Sequence, residues 1–316
     1  MKAVFLNKFG SRDALIVGEL LKSVAGEGEV LVNIKAAGVN PIDWKIREGL
    51  VLKRGIPHEF PLIPGWDMAG IVVERGYAAR RFSVGDEVFS YCRRPVIHKG
   101  TYAEYIAIPE CYLARKPKNF SFEQAAAVPL SALTAYQSLF DTGKLKRRET
   151  VFILGASGGV GSCAVQFAKL AGARVIALAS RRNHLYLKKL GADRVIDYQA
   201  GDFREALRKV LPNGAELVLA CVGGEGLLKA YDCVRKGGRL CTIVERGDEA
   251  IAQEKGVDLR YIFVEPNASQ LELIRALVEK RKFSVKLSGV YPLEDVARAH
   301  EQIETSHTRG KIVLKI

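Results

Sequence analysis

The stretch that decides the fold is TVFILGASGGVG, residues 150–161. Its first five residues carry no charge and are mostly apolar, which is typical of a strand buried on both faces of a parallel sheet. Gly155, Gly158, Gly159 and Gly161 follow at once, and the chain after them has the composition of a helix. A strand, a glycine-rich turn and a helix in this order predict the first unit of a dinucleotide-binding fold.

The same alternation of strand and helix continues beyond this stretch. We predict strands in RVIALAS, RVIDY, ELVLACVGG and RLCTIV, and helices in GVGSCAVQFAKLAGA, NHLYLKKLGAD, DFREALRKVL and GLLKAYDCVRKGG. Consecutive units of this kind connect by right-handed crossovers, which makes the strands parallel and places helices on both faces of the sheet. We therefore expect a doubly wound Rossmann domain over residues 123–265.

The rest of the chain is β-rich. Up to about residue 115, short apolar runs such as EVLVNIKAAG and YAEYIAIP are separated by Gly, Pro and Asp. A helix is predicted to begin near Ser121 and to be interrupted at Pro129. The tail carries two helices and ends in the strands SVKLSGVY and KIVLKI. We expect the tail to rejoin the β-rich part, which gives an α/β protein whose second domain comprises residues 1–122 and 266–316.

Composition bounds the class of protein. The chain has 316 residues, of which 48% are hydrophobic and 26% are charged, as in ordinary soluble globular proteins of two domains. The first residues lack the apolar core of a signal peptide. No run approaches the roughly 18 apolar residues of a membrane span. We therefore expect a cytoplasmic protein that does not interact with a membrane.

The net charge of +13 arises from 48 Lys and Arg against 35 Asp and Glu. These basic residues occur in short clusters, which favours a solvated surface over a nucleic-acid-binding arm. The sequence has neither a zinc-finger spacing nor an aromatic RNA-binding motif, so nucleic acid is not an expected partner. The six cysteines form no CxxC pair and the five histidines are scattered, so we expect reduced thiols and no metal site.

The glycine-rich turn predicts a phosphate site. Ala156 takes the place of the first glycine of the dinucleotide fingerprint, Gly158 allows the backbone to approach a pyrophosphate, and Gly161 allows the helix to pack closely on the strand. The helix N-terminus supplies unpaired N–H groups to the phosphates. The alternative is a tight turn without a ligand. We expect cofactor contacts from Ala156, Ser157, Gly158, Gly159 and Val160.

The end of the second strand indicates which cofactor is bound. An NAD site carries Asp or Glu about 20 residues beyond the glycines, where it binds the ribose 2′-OH. Ser180, Arg181 and Arg182 stand there instead. A guanidinium suits a dianionic 2′-phosphate, so we predict NADPH rather than NADH. Arg181 is the expected phosphate ligand, and Arg182 is expected to face solvent.

Several segments, in order, resemble the medium-chain dehydrogenase/reductase superfamily and its zinc-free, quinone oxidoreductase-like branch. They include GEVLVNIKAAGVNPIDWKIREG, PLIPGWDMAGIV, GTYAEYIAIP, GASGGVG, LGADRVIDY and RGKIVLKI, and they span nearly the whole chain. The resemblance implies a GroES-like catalytic domain beside the Rossmann domain, and a homodimer.

The resemblance also bears on the chemistry. Zinc-dependent members carry Cys where Asn40 stands and a His-Glu pair where Trp66 and Asp67 stand. Because these ligands are missing, the resemblance implies hydride delivery to a small electrophile that is already polarised, such as a quinone or an α,β-unsaturated carbonyl compound (an enone or alkenal). Two alternatives remain open. One is an enoyl-thioester reductase, and the other is an RNA-binding or structural protein similar to zeta-crystallin.

The resemblance implies roles for individual residues. Asn40 corresponds to an asparagine that faces the nicotinamide and the substrate oxygen, with a turn former before Pro41 as the alternative. Lys45 is a candidate donor or the partner of Asp43 in an ion pair, and Trp66 is a pocket wall or a core aromatic. We predict Asn40, Lys45 and Trp66 as catalytic residues. Further cofactor contacts are expected from Asn40, Thr134, Ser180, Arg181, Tyr198, Val222, Gly223, Phe263, Val264 and Lys311.

Lys311 is expected either to reach a cofactor phosphate or to be a surface lysine. The proton donor is left open among solvent, Tyr91 and Tyr102. Enoyl-thioester reductases of the superfamily carry a tyrosine after the glycine that corresponds to Gly49, and here Leu50-Val51-Leu52 follows. This difference disfavours the thioester reading.

Overall fold

The computed structural model describes residues 1–51 and 55–316, so Leu52 of the segment after Gly49 lies outside the described residues. The chain divides into two compact units, residues 1–130 with 265–316 and residues 131–264. The first boundary lies at residue 130, whereas the sequence predicted residue 122. A short helix at Phe122–Ala126 packs on the strands of the first unit, which explains the difference.

The second unit alternates strands with helices along the chain. Its strands are β10 (Thr150–Leu154), β11 (Arg174–Leu178), β12 (Arg194–Ile196), β13 (Ala215–Ala220), β14 (Val234–Thr242) and β15 (Asp258–Tyr261). Its helices are α4 (Gly159–Leu170), α5 (His184–Lys189), α6 (Phe203–Val210), α7 (Glu225–Ala230) and α8 (Glu249–Lys255). Helix α3 (Pro129–Tyr136) begins in the first unit and continues into the second.

The sheet of the second unit confirms the predicted Rossmann domain. The strands are parallel in the order β12-β11-β10-β13-β14-β15. The chain starts in the middle at β10, winds outward to β12, and returns to the other side through β13. Phe152 of β10 lies opposite Ile176 and Val218, and all three are fully buried. The apolar strand sequences are thus explained by helices that cover both faces.

The first unit is β-rich. Its strands are β1 (Lys2–Phe5), β2 (Ile16–Glu19), β3 (Glu29–Val39), β4 (His58–Ile63), β5 (Asp67–Arg75), β6 (Glu87–Tyr91), β7 (Ile97–Lys99), β8 (Tyr105–Pro109), β9 (Leu113–Arg115), β16 (Leu287–Pro292) and β17 (Lys311–Lys315). Its helices are α1 (Pro41–Arg47), α2 (Phe122–Ala126), α9 (Ala268–Glu279) and α10 (Val296–Glu304).

The main sheet of the first unit has the order β16-β17-β3-β5-β6-β9, and β8 also pairs with β3. Strand β17 is antiparallel to β3, with Ile312 opposite Val39. This pairing confirms that the tail rejoins the β-rich part. It also brings Lys311 next to Asn40, the residue that follows β3, although the two are far apart in sequence.

Two helices were missed by the sequence analysis. Asn40, for which a turn former was the alternative interpretation, is the N-cap of α1, and Pro41 takes the first helical position, where its missing N–H costs nothing. Helix α8 begins after Asp248, whose carboxylate accepts from the backbone N–H groups of Ala250 and Ile251. The predicted interruption at Pro129 is confirmed, because α2 ends before it and α3 begins at it.

Within the described parts of the chain, no helix has both the length and the apolar character needed to cross a membrane.

Candidate functional site

The glycine-rich turn between β10 and α4 has the geometry of a phosphate loop. Gly155 has a φ of +68°, a left-handed conformation that favours glycine. Gly155, rather than Ala156, therefore makes the sharp turn, and Ala156 is fully buried. A Cβ on Gly161 would lie 2.4 Å from the carbonyl oxygen of Gly155, so α4 packs on this turn only without a side chain there. This finding agrees with the predicted role of Gly161.

Gly158 differs from Gly161. It is the N-cap of α4 with an ordinary φ of −75°, and a Cβ there would meet only the Gly155 carbonyl oxygen at 3.5 Å, a normal contact. The protein itself therefore does not require a glycine at this position. Because Gly158 has no side chain, the space beside the unpaired N–H groups at the start of α4 is open. A phosphate can approach the backbone there.

The other predicted cofactor residues of the second unit lie where strands of the parallel sheet end. Ser180, Tyr198, Val222 and Phe263 each stand two residues beyond the last residue of β11, β12, β13 and β15. Because the strands are parallel, these positions share one edge of the sheet, which is where this fold binds dinucleotides. Gly223 and Val264 come directly after two of them, and Thr134 is buried in α3.

One residue that the sequence analysis missed joins two of these loops. The side chain of Asn183 is buried, and its Nδ2 donates to Ser157 Oγ at 3.1 Å and to Ser180 Oγ at 3.2 Å. Ser157 belongs to the glycine-rich turn and Ser180 to the loop after β11. Asn183 therefore fixes the two predicted phosphate-binding loops relative to each other. The sequence signal that could have identified Asn183 was its position directly after Arg181 and Arg182.

Arg181 and Arg182 form a short 3₁₀ turn after Ser180, and both are exposed. Ser180 is buried and Tyr198 is about half exposed, at 44%. The described loop after β11 thus presents guanidinium groups, and no carboxylate stands among residues 179–183. This arrangement is suited to bind an additional phosphate on the adenosine ribose.

In the first unit, Asn40 lies in a buried polar cluster. Its Nδ2 donates to Asp67 Oδ2 at 3.0 Å, and its Oδ1 accepts a hydrogen bond from Lys311 Nζ. The Lys311 ammonium also lies 3.6 Å from Asp67 Oδ2 and donates to the Val39 carbonyl oxygen at 3.2 Å. Asp43 Oδ2 accepts from the backbone N–H of Asn40 at 2.8 Å.

Burial shapes the acid–base properties of this cluster. It raises the pKa of Asp43 from 3.8 to about 7, although hydrogen bonds from Asn40 and from Tyr102 oppose the shift. It likewise raises the pKa of Asp67, against the pull of the Lys311 charge. The hydroxyl of Tyr102 donates to Asp43 Oδ2 at 2.8 Å. Of the two tyrosines considered as proton donors, Tyr102 therefore contacts the cluster.

Tyr91 is in a different situation. Its ring is fully buried and packs edge-on against Trp66, with ring centroids 6.0 Å apart. Its hydroxyl has no hydrogen-bond partner among the described residues, and burial raises its pKa well above 10. Trp66 is only 4% exposed, which matches the alternative of a core aromatic.

Two expectations about charged residues are wrong. Asp43 and Lys45 do not form an ion pair, because residues two apart on a helix do not face each other and the Asp43 carboxylate bonds to Asn40 and Tyr102. The Lys45 ammonium lies over the Trp44 ring, 5.7 Å from its centroid. Lys311 is not a surface lysine, since it is 4% exposed and its charge is paired with Asp67 inside the first unit.

The residues present do not fit a catalytic zinc ion at Asn40 and Trp66-Asp67. An amide and an indole are not zinc ligands of the usual kind, and the one carboxylate is paired with an ammonium group. Across residues 1–51 and 55–316, no group of three or more His, Cys, Asp or Glu side chains is arranged to hold a metal.

Two family models match the chain. Residues 26–118 match the alcohol dehydrogenase GroES-like domain, and residues 190–314 match a family described as zinc-binding dehydrogenase. The first match confirms the predicted GroES-like domain. The second match does not include Asn40, Trp66 or Asp67.

Curated relatives cover most of the chain. The human protein "NAD(P)H oxidoreductase RTN4IP1, mitochondrial" is 32% identical, over 100% of this chain and 89% of the relative. A spinach protein, "Quinone-oxidoreductase homolog, chloroplastic", is 32% identical over 97% of this chain and 95% of the relative. The tomato "2-methylene-furan-3-one reductase" is 33% identical over 99% of this chain and 79% of the relative.

Solved structures are also similar. The quinone oxidoreductase from Coxiella burnetii has a TM-score of 0.91 and 31% identity, covering 100% of this chain and 99% of that one. The Escherichia coli quinone oxidoreductase complexed with NADPH has a TM-score of 0.88 and 28% identity, with 100% of both chains covered. The chain is therefore a member of the medium-chain dehydrogenase/reductase superfamily, in its quinone oxidoreductase-like branch, and an oxidoreductase of the kind that uses a nicotinamide cofactor.

Proposed function

We propose that this protein is an NADPH-dependent reductase that delivers hydride, without a metal ion, to quinones or to α,β-unsaturated carbonyl compounds. The observation that carries the proposal is the loop after β11, which presents Arg181 beside buried Ser180 where an NAD site would need a carboxylate. The tomato relative named 2-methylene-furan-3-one reductase and the Escherichia coli relative with NADPH support the substrate class and the cofactor.

In this proposal NADPH supplies the hydride, and a proton from solvent or from the protein completes the two-electron reduction of the substrate. The N–H groups at the start of α4 bind the pyrophosphate, and Gly158 leaves room for its approach. Arg181 and Ser180 bind the 2′-phosphate. Asn40 donates an N–H to the carbonyl oxygen, which becomes more negative as hydride adds to the β-carbon.

The replaced ligand set supports chemistry without a metal. Asn40 and Asp67, which stand where zinc-dependent relatives carry ligands, are hydrogen-bonded to each other and to Lys311. An already polarised acceptor needs orientation and a few donors more than it needs a Lewis acid. We also propose a homodimer, from the resemblance, and a cytoplasmic location, from the cysteine usage.

A substrate panel tests the proposal. NADPH oxidation is measured with 1,4-naphthoquinone, with an alkenal and with a crotonyl thioester, in the presence and absence of a chelator. We expect turnover of the quinone or the alkenal at a rate that the chelator does not change. Turnover of the thioester alone would identify an enoyl-thioester reductase. No turnover, together with salt-dependent retention of RNA, would favour the RNA-binding alternative. Stoichiometric zinc in the purified protein would contradict the mechanism.

The choice of cofactor is tested with R181A. We expect the KM for NADPH to rise tenfold or more, on the order of 1.4 kcal/mol or above, because a charge-assisted contact to the 2′-phosphate is lost. The KM for NADH should hardly change. The matched control is R182A, which removes the neighbouring exposed guanidinium. Equal effects of R181A on the two cofactors would refute the assignment.

A further inference from the structure

The backbone and the side-chain amide of Asn40 both make hydrogen bonds to buried groups of the first unit, and these bonds use one of the two N–H groups of Nδ2. Its backbone N–H donates to Asp43 Oδ2, and its carbonyl oxygen accepts from the Asp43 backbone N–H at 3.0 Å. In the side chain, Nδ2 donates to Asp67 and Oδ1 accepts from Lys311. Asn40 is 1% exposed and Asp43 and Asp67 are fully buried.

Stability alone does not account for this arrangement. Removing charges from water is costly, and replacing a buried ion pair with apolar residues is often neutral or stabilising. What the charges do achieve is a fixed orientation of the amide. If the amide turned by 180°, its oxygen would face the Asp67 carboxylate and its NH₂ group would face the Lys311 ammonium. Both contacts would then be repulsive, so the two charges select one orientation.

The contacts of Lys311 also indicate that it orients the Asn40 side chain and does not bind a cofactor phosphate. An ammonium group has three N–H donors. Three acceptors surround Lys311 Nζ, namely the Val39 carbonyl oxygen, Asn40 Oδ1 and Asp67 Oδ2. Two of these contacts are hydrogen bonds and the third, at 3.6 Å, is an ion pair, so the ammonium is bonded and its charge is paired within the first unit.

We propose that Lys311 is a positioning residue, whose ammonium acts together with Asp67 to hold the Asn40 amide so that the second N–H of Nδ2 serves the substrate carbonyl oxygen. The inference rests on the proposed reductase function, because that reaction places negative charge on a carbonyl oxygen. An ammonium group thereby occupies a position among residues that correspond to metal ligands in zinc-dependent relatives, and it acts on the amide rather than on the substrate.

A mutant cycle tests the coupling of Lys311 to Asn40. K311M should lower kcat tenfold or more with the better of the quinone and alkenal substrates, while the Kd for NADPH stays within about twofold. N40A should cause a loss of similar size, and the N40A/K311M double mutant should be no slower than N40A alone. K311R, which keeps the cation, should recover part of kcat. The matched control is K315M, which removes an exposed lysine from the same strand.

Two safeguards keep the test decisive. If K311M does not fold, K311M/D67N, which removes both charges together, carries the same expectation of a reduced kcat. The side-chain amide signal of Asn40 in an NMR spectrum, assigned by its loss in N40A, gives a readout that needs no activity. We expect slow hydrogen exchange of this amide in the wild type and in K315M, and faster exchange in K311M.

Three results would overturn the inference. One is a normal kcat with a raised Kd for NADPH in K311M, which would show phosphate binding instead. The second is additive losses of kcat in the double mutant. The third is an unchanged Asn40 amide signal in K311M. Failure of the proposed function looks different, because the wild type itself would then reduce none of the electrophiles.

Discussion

Gly158→Ala is expected to weaken NADPH binding by about a hundredfold while the protein keeps its fold, and Gly161→Ala is expected to unfold more easily. At Gly158 a methyl group meets only the Gly155 carbonyl oxygen at 3.5 Å, so the apoprotein tolerates it. The same methyl group would occupy the space through which a pyrophosphate reaches the backbone. A hundredfold loss corresponds to about 2.7 kcal/mol of binding free energy.

At Gly161 the added methyl group would lie 2.4 Å from the Gly155 carbonyl oxygen and 2.6 Å from Ala156 Cα, both backbone atoms. Relief requires α4 to move away from the turn, and overpacking of this kind costs about 1–3 kcal/mol or more. We expect a clearly lower Tm in Gly161→Ala and only a small decrease in Gly158→Ala, because alanine is a weaker N-cap than glycine. Thermal melts without cofactor and NADPH fluorescence titrations measure the two effects separately.

Gly158→Ala and Gly161→Ala are controls for each other, because one should affect cofactor binding and the other stability. If Gly158→Ala bound NADPH as tightly as the wild type, the backbone at 158 would not approach a phosphate. If Gly161→Ala melted at the wild-type temperature, the close packing of α4 on the turn would be refuted.

Asp43→Asn is expected to change how stability depends on pH. In the folded protein the pKa of Asp43 is raised from 3.8 to about 7, because its carboxylate is buried. For an acid whose folded pKa lies above the unfolded value, the folded state keeps a proton that the unfolded state has already lost. The contribution of Asp43 to stability is therefore largest below pH 4 and decreases as the pH rises towards 7.

An amide at position 43 has no such proton, and its oxygen still accepts from Asn40 and Tyr102. The free energy of unfolding of Asp43→Asn, relative to the wild type, should therefore increase between pH 4 and pH 8. At about 1.4 kcal/mol per pKa unit, the increase is on the order of a few kcal/mol. Urea unfolding at pH 5 and pH 8 measures it. Parallel stability curves for the two proteins would show that the Asp43 carboxyl is not shifted.

The glycine-rich turn and the alternation of strands and helices were sufficient to predict the second unit as far as the strand RLCTIV, but not α8 and β15 beyond it. The first strands, such as β10, β11 and β13, are short and mostly apolar runs, and each crossover is local in sequence, so the pattern carries the topology. Strand β15 has the sequence DLRY, whose charges hide it from such a pattern. The sharp turn at Gly155 was assigned one residue late, because the fingerprint was read from Ala156. Asn183 was missed since an asparagine at a helix start ordinarily indicates only a cap.

The buried polar cluster around Asn40 in the first unit was harder to predict from the sequence. Asn40 and Lys311 meet only because β17 pairs with β3, and that contact joins residues 271 positions apart. Lys311 follows a glycine near a strand end, which is where surface lysines are common. The missed helix α1 is short and begins with a proline, so its apolar spacing is too brief to indicate a helix.

The place of β17 in the main sheet has a consequence for biosynthesis. This strand lies between β16 and β3, yet the ribosome makes it after all residues of the second unit. During translation the Rossmann unit has its complete sequence while the edge of β3 at residues 36–39, which pairs with β17, still lacks its neighbour. Unpaired strand edges invite association with other chains. The nascent polypeptide thus has to protect that edge until residues 311–315 emerge, and the lysine that completes the polar cluster arrives with the strand that closes the sheet.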